Sequence, residues 1–143
     1  MNEPSVIAEM LRTSKTIAVV GMSDKNTRAS HHIGKYLVER GYHVLPVNPA
    51  LSVIDGMTCY PDLEAAQAAA KGFNGGTGID LVDVFRASEH VPPIVNDVIR
   101  LGIPYLWLQD GVVDDVAVGR AEASGVKCVQ NDCIFRRHAQ LRD

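Results

Sequence analysis

The stretch TIAVVGMSDKNTR, residues 16–28, largely decides the fold of this chain. Its first part is an uninterrupted apolar run that ends at Gly21, which is typical of a strand covered on both faces in a parallel sheet. A helical pattern follows the polar segment, with Ile33, Tyr36 and Leu37 on one face. A strand, a turn and a helix in this order predict the first βα unit of an α/β domain.

The alternation of apolar runs and helical patterns continues along the chain. Further strands are predicted at 42–49, 79–86, 103–111 and 126–130. Pro46 cannot donate to a ladder, so the second strand is either interrupted there or lies where that amide is not needed. Strands that alternate with helices predict a Rossmann-like three-layer sandwich, with a five-stranded, mainly parallel sheet and right-handed crossovers.

The predicted helices are marked by residues that favour helix ends. An extra N-terminal helix over 4–12 is expected to pack on the domain, and a short helix is expected after the last strand. A glycine-rich segment, 72–78, is interpreted as a surface connection because no Lys-Ser or Lys-Thr pair follows it. Predicted N-caps are Asp62, Ser88 and either Asp114 or Asp115, and predicted C-terminal glycines are Gly41 and Gly125.

Length and composition limit the class of protein. The 143 residues, 46% hydrophobic and 22% charged, predict one globular domain over 1–143, with no apolar stretch of the length that a membrane span needs. A net charge of −3 argues against nucleic-acid binding. The odd number of cysteines (Cys59, Cys128 and Cys133) and the lack of a leader-like N-terminus predict reduced thiols in the cytoplasm.

The turn after the first strand lacks the dinucleotide-binding fingerprint. Ser23 and Asn26 stand where its second and third glycines would be, and the second strand ends in Asn48-Pro49 rather than an acidic residue. Lys25 and Arg28 add full charges beside a helix N-terminus, which suits phosphate. These residues favour a nucleotide with more phosphate than NAD carries, although a solvated loop explains the turn alone equally well.

Polar and cationic residues also follow the other strands, namely Asn48, Arg86, Gln109 and Asn131. In a parallel sheet all of these positions lie at the carboxyl edge, where ligands bind in open α/β folds.

Six segments then resemble a known family in order and spacing. They are VVGMSDKNTR, GYHVLPVNP, CYPDL, IDLVDVFR, LWLQDGV and GVKCVQNDCI, spread between Thr16 and Ile134. The family is that of small stand-alone CoA-binding proteins, whose domain is similar to the N-terminal part of the succinyl-CoA synthetase alpha subunit. The resemblance implies a domain that binds coenzyme A or an acyl-CoA.

The resemblance also implies a role for each strand end. The loop Gly21 to Arg28 would hold the phosphates, with Lys25 and Arg28 suited to the 3′-phosphate of CoA. The implied ligand-binding residues are Gly21, Ser23, Lys25, Thr27 and Arg28 in the loop, Val47, Asn48 and Pro49 beside the adenosine, Phe85 and Arg86 flanking the ligand, Gln109 and Gly111 along the pantetheine arm, and Asn131 and Cys133 near the thiol.

No catalytic group stands out, and no metal-ligand spacing is present. The chain ends before the domains on which the synthetase's ligase activity depends. No histidine forms a pair with a carboxylate that would suggest acid–base catalysis, so each is expected to be a surface residue, although His31 or His32, which follow the loop, could touch a phosphate. We therefore expect a non-catalytic carrier, sensor or partner of another enzyme. An NADP-type enzyme and a ligand-free interaction module remain alternatives, and a protein partner or a second copy of the chain is left open.

Overall fold

A computed structural model describes residues 2–141. Along the chain it contains α1 (Pro4–Thr13), β1 (Thr16–Val20), α2 (Ala29–Glu39), β2 (His43–Val47), β3 (Val53–Ile54), β4 (Met57–Thr58), α3 (Leu63–Phe73), β5 (Leu81–Val84), a 3₁₀ turn (Ser88–His90), α4 (Val91–Leu101), β6 (Tyr105–Leu108), α5 (Asp115–Ala123), β7 (Lys127–Val129) and α6 (Ile134–Ala139). Among these helices none has both the length and the apolar character that crossing a membrane requires.

Five strands form one parallel sheet in the order β2-β1-β5-β6-β7. All five residues of β1 are buried, as its uninterrupted apolar run predicts. The chain leaves β1 towards β2 on one side and later returns to β5 on the other, so the strand order reverses between β1 and β5. The predicted Rossmann-like α/β fold is confirmed, and this reversal is where such folds bind ligands.

Helices cover both faces of the sheet and make two apolar cores. Alternation along β1 sends Ile17 and Val19 into the core beneath α1, α2 and α6, and Ala18 and Val20 into the core beneath α3, α4 and α5. Trp107 lies fully buried in the first core. The N-terminal helix also belongs to this core, through buried residues Ile7, Met10 and Leu11.

Most predicted helix ends are confirmed by their capping bonds. The Asp62 carboxylate accepts a hydrogen bond from the Ala65 amide at 2.8 Å, and Asp114 accepts one from the Ala117 amide at 3.0 Å. The prediction for Ser88 is wrong. Ser88 begins the 3₁₀ turn, and its hydroxyl accepts a hydrogen bond from the Val113 amide at 2.9 Å, so it ties two loops together instead of capping α4.

The second strand runs through Pro46 without interruption. This is possible because β2 is an edge strand, where a missing donor on the outer side breaks no ladder. The Tyr60 amide donates to the Pro46 carbonyl at 2.9 Å, so the segment after the β3–β4 hairpin covers this edge. The hairpin itself was not predicted, although its Asp55-Gly56 turn is a strong sequence signal for one.

The two aspartates of the third predicted strand have different environments. Asp80 precedes β5, and its carboxylate accepts hydrogen bonds from the amides of Lys15 and Thr16, which follow the end of α1. Asp83 lies inside β5 and is fully buried between Val19 and Trp107 of the neighbouring strands. Within residues 2–141 neither of its carboxyl oxygens has a hydrogen-bond partner, and burial raises its pKa well above the usual value.

Candidate functional site

The turn after β1 lies directly against the end of β5. Gly21 has a φ of 85°, and its amide donates to the Val47 carbonyl at 2.8 Å. A Cβ atom at Gly21 would stand 2.6 Å from the Phe85 carbonyl oxygen and 3.0 Å from Cδ of Arg86. Both the backbone angle and the close approach require glycine here. This contact brings the ends of β1, β2 and β5 together.

A cleft of about 400 Å³ opens above this contact, and we call it the loop cleft. Its lining combines the turn, the first residues of α2 and the end of β5: Gly21, Ser23, Lys25, Arg28, Ala29, Ser30 and Phe85. Hydrogen bonds within the loop fix its shape, because Ser30 Oγ accepts from the Ser23 amide and Ser23 Oγ accepts from the Lys25 amide, both at 3.0 Å. The hydroxyls of Ser23 and Ser30 thus stabilise the conformation of the loop.

The charge of the loop cleft is positive. Lys25 and Arg28 are exposed, and within residues 2–141 neither side chain forms an ion pair. By contrast, Arg100, Arg136 and Arg137 each pair with a carboxylate elsewhere on the surface. The first two residues of α2, Ala29 and Ser30, also line the cleft, and the start of a helix carries a partial positive charge from its first amides. Such a cleft suits an anion.

A second, smaller cleft of about 200 Å³ is lined by Arg86 and by apolar residues, and we call it the apolar cleft. Its walls come from the ends of β1 and β2 and from the starts of α3 and α4. They consist of Val20, Val47, Pro49, Pro61, Leu63, Pro93 and Ile94, together with Asp62, Arg86, His90 and Asp97. The apolar walls of this cleft suit a flat ring. Sequence reasoning identified only Val47, Pro49 and Arg86 among these residues.

The side chain of Asn48 forms hydrogen bonds with the backbone of the neighbouring loops. Its Nδ2 donates to the Met22 carbonyl at 3.0 Å, and its Oδ1 accepts from the Ala50 amide at 2.9 Å. These bonds tie the end of β2 to the turn after β1. Asn48 therefore shapes the site by holding two loops in register.

The residues predicted along the pantetheine arm and near the thiol line neither the loop cleft nor the apolar cleft. Gln109 is buried, and its Oε1 accepts from the Ile134 amide at 3.1 Å. Asn131, with a φ of 55°, accepts from the Gly111 amide at 2.8 Å. Cys133 is 7% exposed and packs in the core beneath α6. Gln109 thus connects the end of β6 to the start of α6, and Asn131 connects the loop after β7 to the loop after β6.

The other two cysteines are also core residues. Cys128 is buried in β7, and burial raises its pKa to about 12. Burial also raises the pKa of Cys59. This effect is larger than the lowering of the pKa by the hydrogen bond to the Asn48 backbone. Both thiols are therefore protonated at neutral pH and poorly nucleophilic.

Sequence reasoning missed one polar pair beside the loop. His31 is buried in the first turn of α2, and its Nε2 lies 2.6 Å from Oδ2 of Asp55 at the tip of the β3–β4 hairpin. The prediction of a surface histidine without a carboxylate partner is wrong for His31, because the hairpin covers it. The pair lines a third, open cleft of about 770 Å³, which we call the hairpin cleft, together with Asp24, Lys25, Asn26, Thr27 and Lys35.

The arginines of the C-terminal helix are paired rather than free. Arg136 contacts Asp110 at 3.0 Å, and Arg137 contacts the buried Asp132 at 2.9 Å. Burial raises the pKa of Asp132, but hydrogen bonds from Arg137 and from the Cys133 amide together lower it by more. The pKa of Asp132 therefore lies below the usual value. This network anchors α6 to the loops after β6 and β7.

Residues 15–139 match the family model of a CoA binding domain. The chain belongs to the CoA-binding domain family. The family resemblance seen in the six sequence segments is therefore confirmed. The chain is 35% identical over 141 residues to the YneT protein of Bacillus subtilis, with 97% of this chain and 98% of that protein covered.

Solved structures show the same arrangement in other proteins. A hypothetical protein from Pyrococcus horikoshii OT3 is 32% identical, with a TM-score of 0.86 over 97% of this chain and 92% of that one. The cell-free ID.343 protein from Thermus thermophilus is 27% identical, with a TM-score of 0.84 over 98% of this chain and 99% of that one. These matches extend over nearly the whole CoA-binding domain.

Proposed function

We propose that this protein binds coenzyme A or an acyl-CoA without chemically changing it, as a cytoplasmic carrier, sensor or partner of another enzyme. One observation carries the proposal. At the point where strand order reverses, Gly21 brings the turn after β1 against β5 and leaves a positive cleft, with Lys25 and Arg28 beside the start of α2. Membership of the CoA-binding domain family supports the choice of ligand.

The loop cleft is the expected place for the phosphates. Helix amides bind phosphate oxygens directly, and the two side chains supply full charges. CoA carries a pyrophosphate and a 3′-phosphate, so it presents more negative charge than an ordinary dinucleotide. Since no carboxylate lines this cleft, the ligand would not have to displace an internal ion pair.

The apolar cleft is the expected place for the adenine ring. It adjoins the loop cleft through Arg86 and Gly21, and both clefts begin at the ends of β1 and β5. A ring between Val47, Pro49 and Ile94 would bury apolar surface on two sides. The pantetheine arm would then run along the loops after β6 and β7, where Gly111 and Asn131 are exposed.

Replacing Lys25 and Arg28 together with alanine is expected to weaken CoA binding by about tenfold, because two exposed charge-assisted contacts are lost. Isothermal titration calorimetry measures this directly. If the two side chains hold the 3′-phosphate, dephospho-CoA should bind the variant and the unchanged protein almost equally. The loss for CoA should also shrink at high salt, since exposed charges are screened.

Lys71→Ala is the matched control. Lys71 is exposed in the last turn of α3, at the helix end from which the chain enters the amino end of β5. Its removal should leave CoA binding unchanged. A folded, unchanged protein that ignores CoA at millimolar concentration would overturn the proposal. NADP that competes with CoA and is turned over would instead support the alternative of a small nucleotide-dependent enzyme.

A further inference from the structure

We propose that Arg86 binds the diphosphate of the ligand, so that the ligands of this protein are adenosine 5′-diphosphate derivatives. The inference rests on the proposed function and divides the phosphates of CoA between two sets of cations. Arg86 holds the 5′-diphosphate, whereas Lys25 and Arg28 hold the 3′-phosphate. Ligands that lack the 3′-phosphate should therefore still depend on Arg86.

Arg86 is a partly buried cation without a partner in the described chain. Across residues 2–141, Arg86 and Arg137 are the two arginines that are partly buried. The Arg137 guanidinium contacts the carboxylate of the buried Asp132 at 2.9 Å. The Arg86 guanidinium forms no ion pair, hydrogen bond or aromatic contact with any described residue. Partial burial of a charge costs free energy that pairing normally recovers, so an unpaired Arg86 points to an anionic ligand.

The two carboxylates that share the apolar cleft with Arg86 bind other groups. Asp97 Oδ1 accepts a hydrogen bond from Arg100 at 3.1 Å, and Asp62 Oδ1 accepts one from the Ala65 amide at 2.8 Å, as the cap of α3. Both aspartates line the apolar cleft, yet neither forms an ion pair with Arg86. The guanidinium of Arg86 therefore remains available to a ligand.

The position of Arg86 favours the diphosphate over the 3′-phosphate. Arg86 lines the apolar cleft, and its Cδ would lie 3.0 Å from a Cβ atom at Gly21, which lines the loop cleft. In Rossmann-like folds a diphosphate lies at the turn after the first strand, and Gly21 begins that turn. Lys25 and Arg28 follow four and seven residues further along the loop. A planar guanidinium also suits two-pronged binding of phosphate oxygens.

The test is isothermal titration calorimetry of CoA and of dephospho-CoA into the full chain. Arg86→Gln should weaken the binding of both ligands by the same factor, about tenfold, because a charge-assisted contact to the diphosphate is lost. Arg86→Lys keeps the charge but not the planar fork, so it should weaken both by a smaller common factor. ADP should compete with CoA for the unchanged protein, because both contain adenosine 5′-diphosphate.

Arg120→Gln is the matched control. Arg120 is exposed on α5, where its guanidinium donates to Asn96 Oδ1 at 2.6 Å, and it lines neither the loop cleft nor the apolar cleft. Its replacement should leave the affinities for CoA and dephospho-CoA unchanged. Chemical denaturation without ligand shows whether each variant is folded.

Four results would overturn this inference and leave the proposed function intact. A loss confined to CoA would assign Arg86 to the 3′-phosphate, and equal losses in the glutamine and lysine variants would indicate stacking on the base. Unchanged affinities in the Arg86 variants would make Arg86 a framework residue, and failure of ADP to compete would exclude the proposed ligand class. If Arg86→Gln does not fold, Arg86→Lys carries the comparison of the two ligands. Absence of CoA binding by the unchanged protein would overturn both proposals.

Discussion

Replacing Asp83 with valine is expected to raise the free energy of unfolding near neutral pH by about 2 kcal/mol or more. Asp83 is fully buried in β5, and within residues 2–141 its carboxyl oxygens have no hydrogen-bond partner. Valine suits this central strand position, because its neighbours Val19 and Trp107 are apolar and buried. Chemical denaturation of both proteins, followed by circular dichroism, measures the difference.

The effect of Asp83 should depend on pH with a definite sign. Burial raises the pKa of Asp83 in the folded protein, whereas the unfolded chain ionises near the usual value. The stability that the protonated form contributes is therefore complete below about pH 4 and is lost as the pH rises towards the folded pKa, at up to about 1.4 kcal/mol per pH unit. The stabilising effect of Asp83→Val should grow over the same interval.

Asp83→Asn is the matched control for the titration. It keeps the shape of the side chain and removes the ionisation, so the pH-dependent loss assigned to Asp83 should disappear. Its stabilising effect should be smaller than that of valine, because an unpartnered amide remains buried. A valine variant that is less stable than the unchanged protein at neutral pH would show that Asp83 has a stabilising partner.

The second large effect is expected at Gly21. Gly21→Ala should lower the free energy of unfolding by about 3 kcal/mol, because alanine strains a positive φ and also clashes with a neighbouring strand. The new Cβ would lie 2.6 Å from the Phe85 carbonyl oxygen, which belongs to the backbone and cannot rotate away. The turn would have to move off β5, so CoA affinity in the folded fraction should fall as well.

Gly41→Ala separates the two causes. Gly41 has a φ of 91°, close to that of Gly21, but a Cβ there would meet no heavy atom within 4 Å. It should show only the cost of the backbone angle, about 1–2 kcal/mol, and no loss of CoA affinity. Equal losses of stability and unchanged CoA affinity in both variants would mean that the close approach to Phe85 does not shape the site.

The positions of the candidate site residues could be predicted from the sequence, but their contacts with residues distant in the chain could not. Lys25 and Arg28 could be placed from sequence, because a loop between a buried strand and a helix must lie at the carboxyl edge. Asn48 and Gln109 were also placed at that edge, but their hydrogen bonds to Met22 and Ile134 depend on residues 26 and 25 positions away. A sequence pattern shows where in the fold a polar side chain lies, but it does not show which hydrogen-bond partners that side chain has.

Contacts with residues distant in the chain also explain why the predictions for Ser88 and His31 were wrong. The Ser88 prediction used a local rule, yet the Val113 amide, brought close by the loop after β6, is the better donor in the folded chain. His31 seemed exposed because it follows a polar loop. Asp55 reaches it only because the Asp55-Gly56 turn folds the hairpin back over α2.

By itself, the sequence determined the parallel α/β architecture, the cap at Asp62 and the family. Each depends on periodicity or on residues adjacent in the chain, which short-range sterics and burial decide. Only the tertiary structure decided that Gly21 touches Phe85, that His31 meets Asp55, and that Asp83 has no partner among the described residues. These outcomes depend on which distant backbone groups the strand order brings within a few ångströms, and no local pattern encodes that proximity.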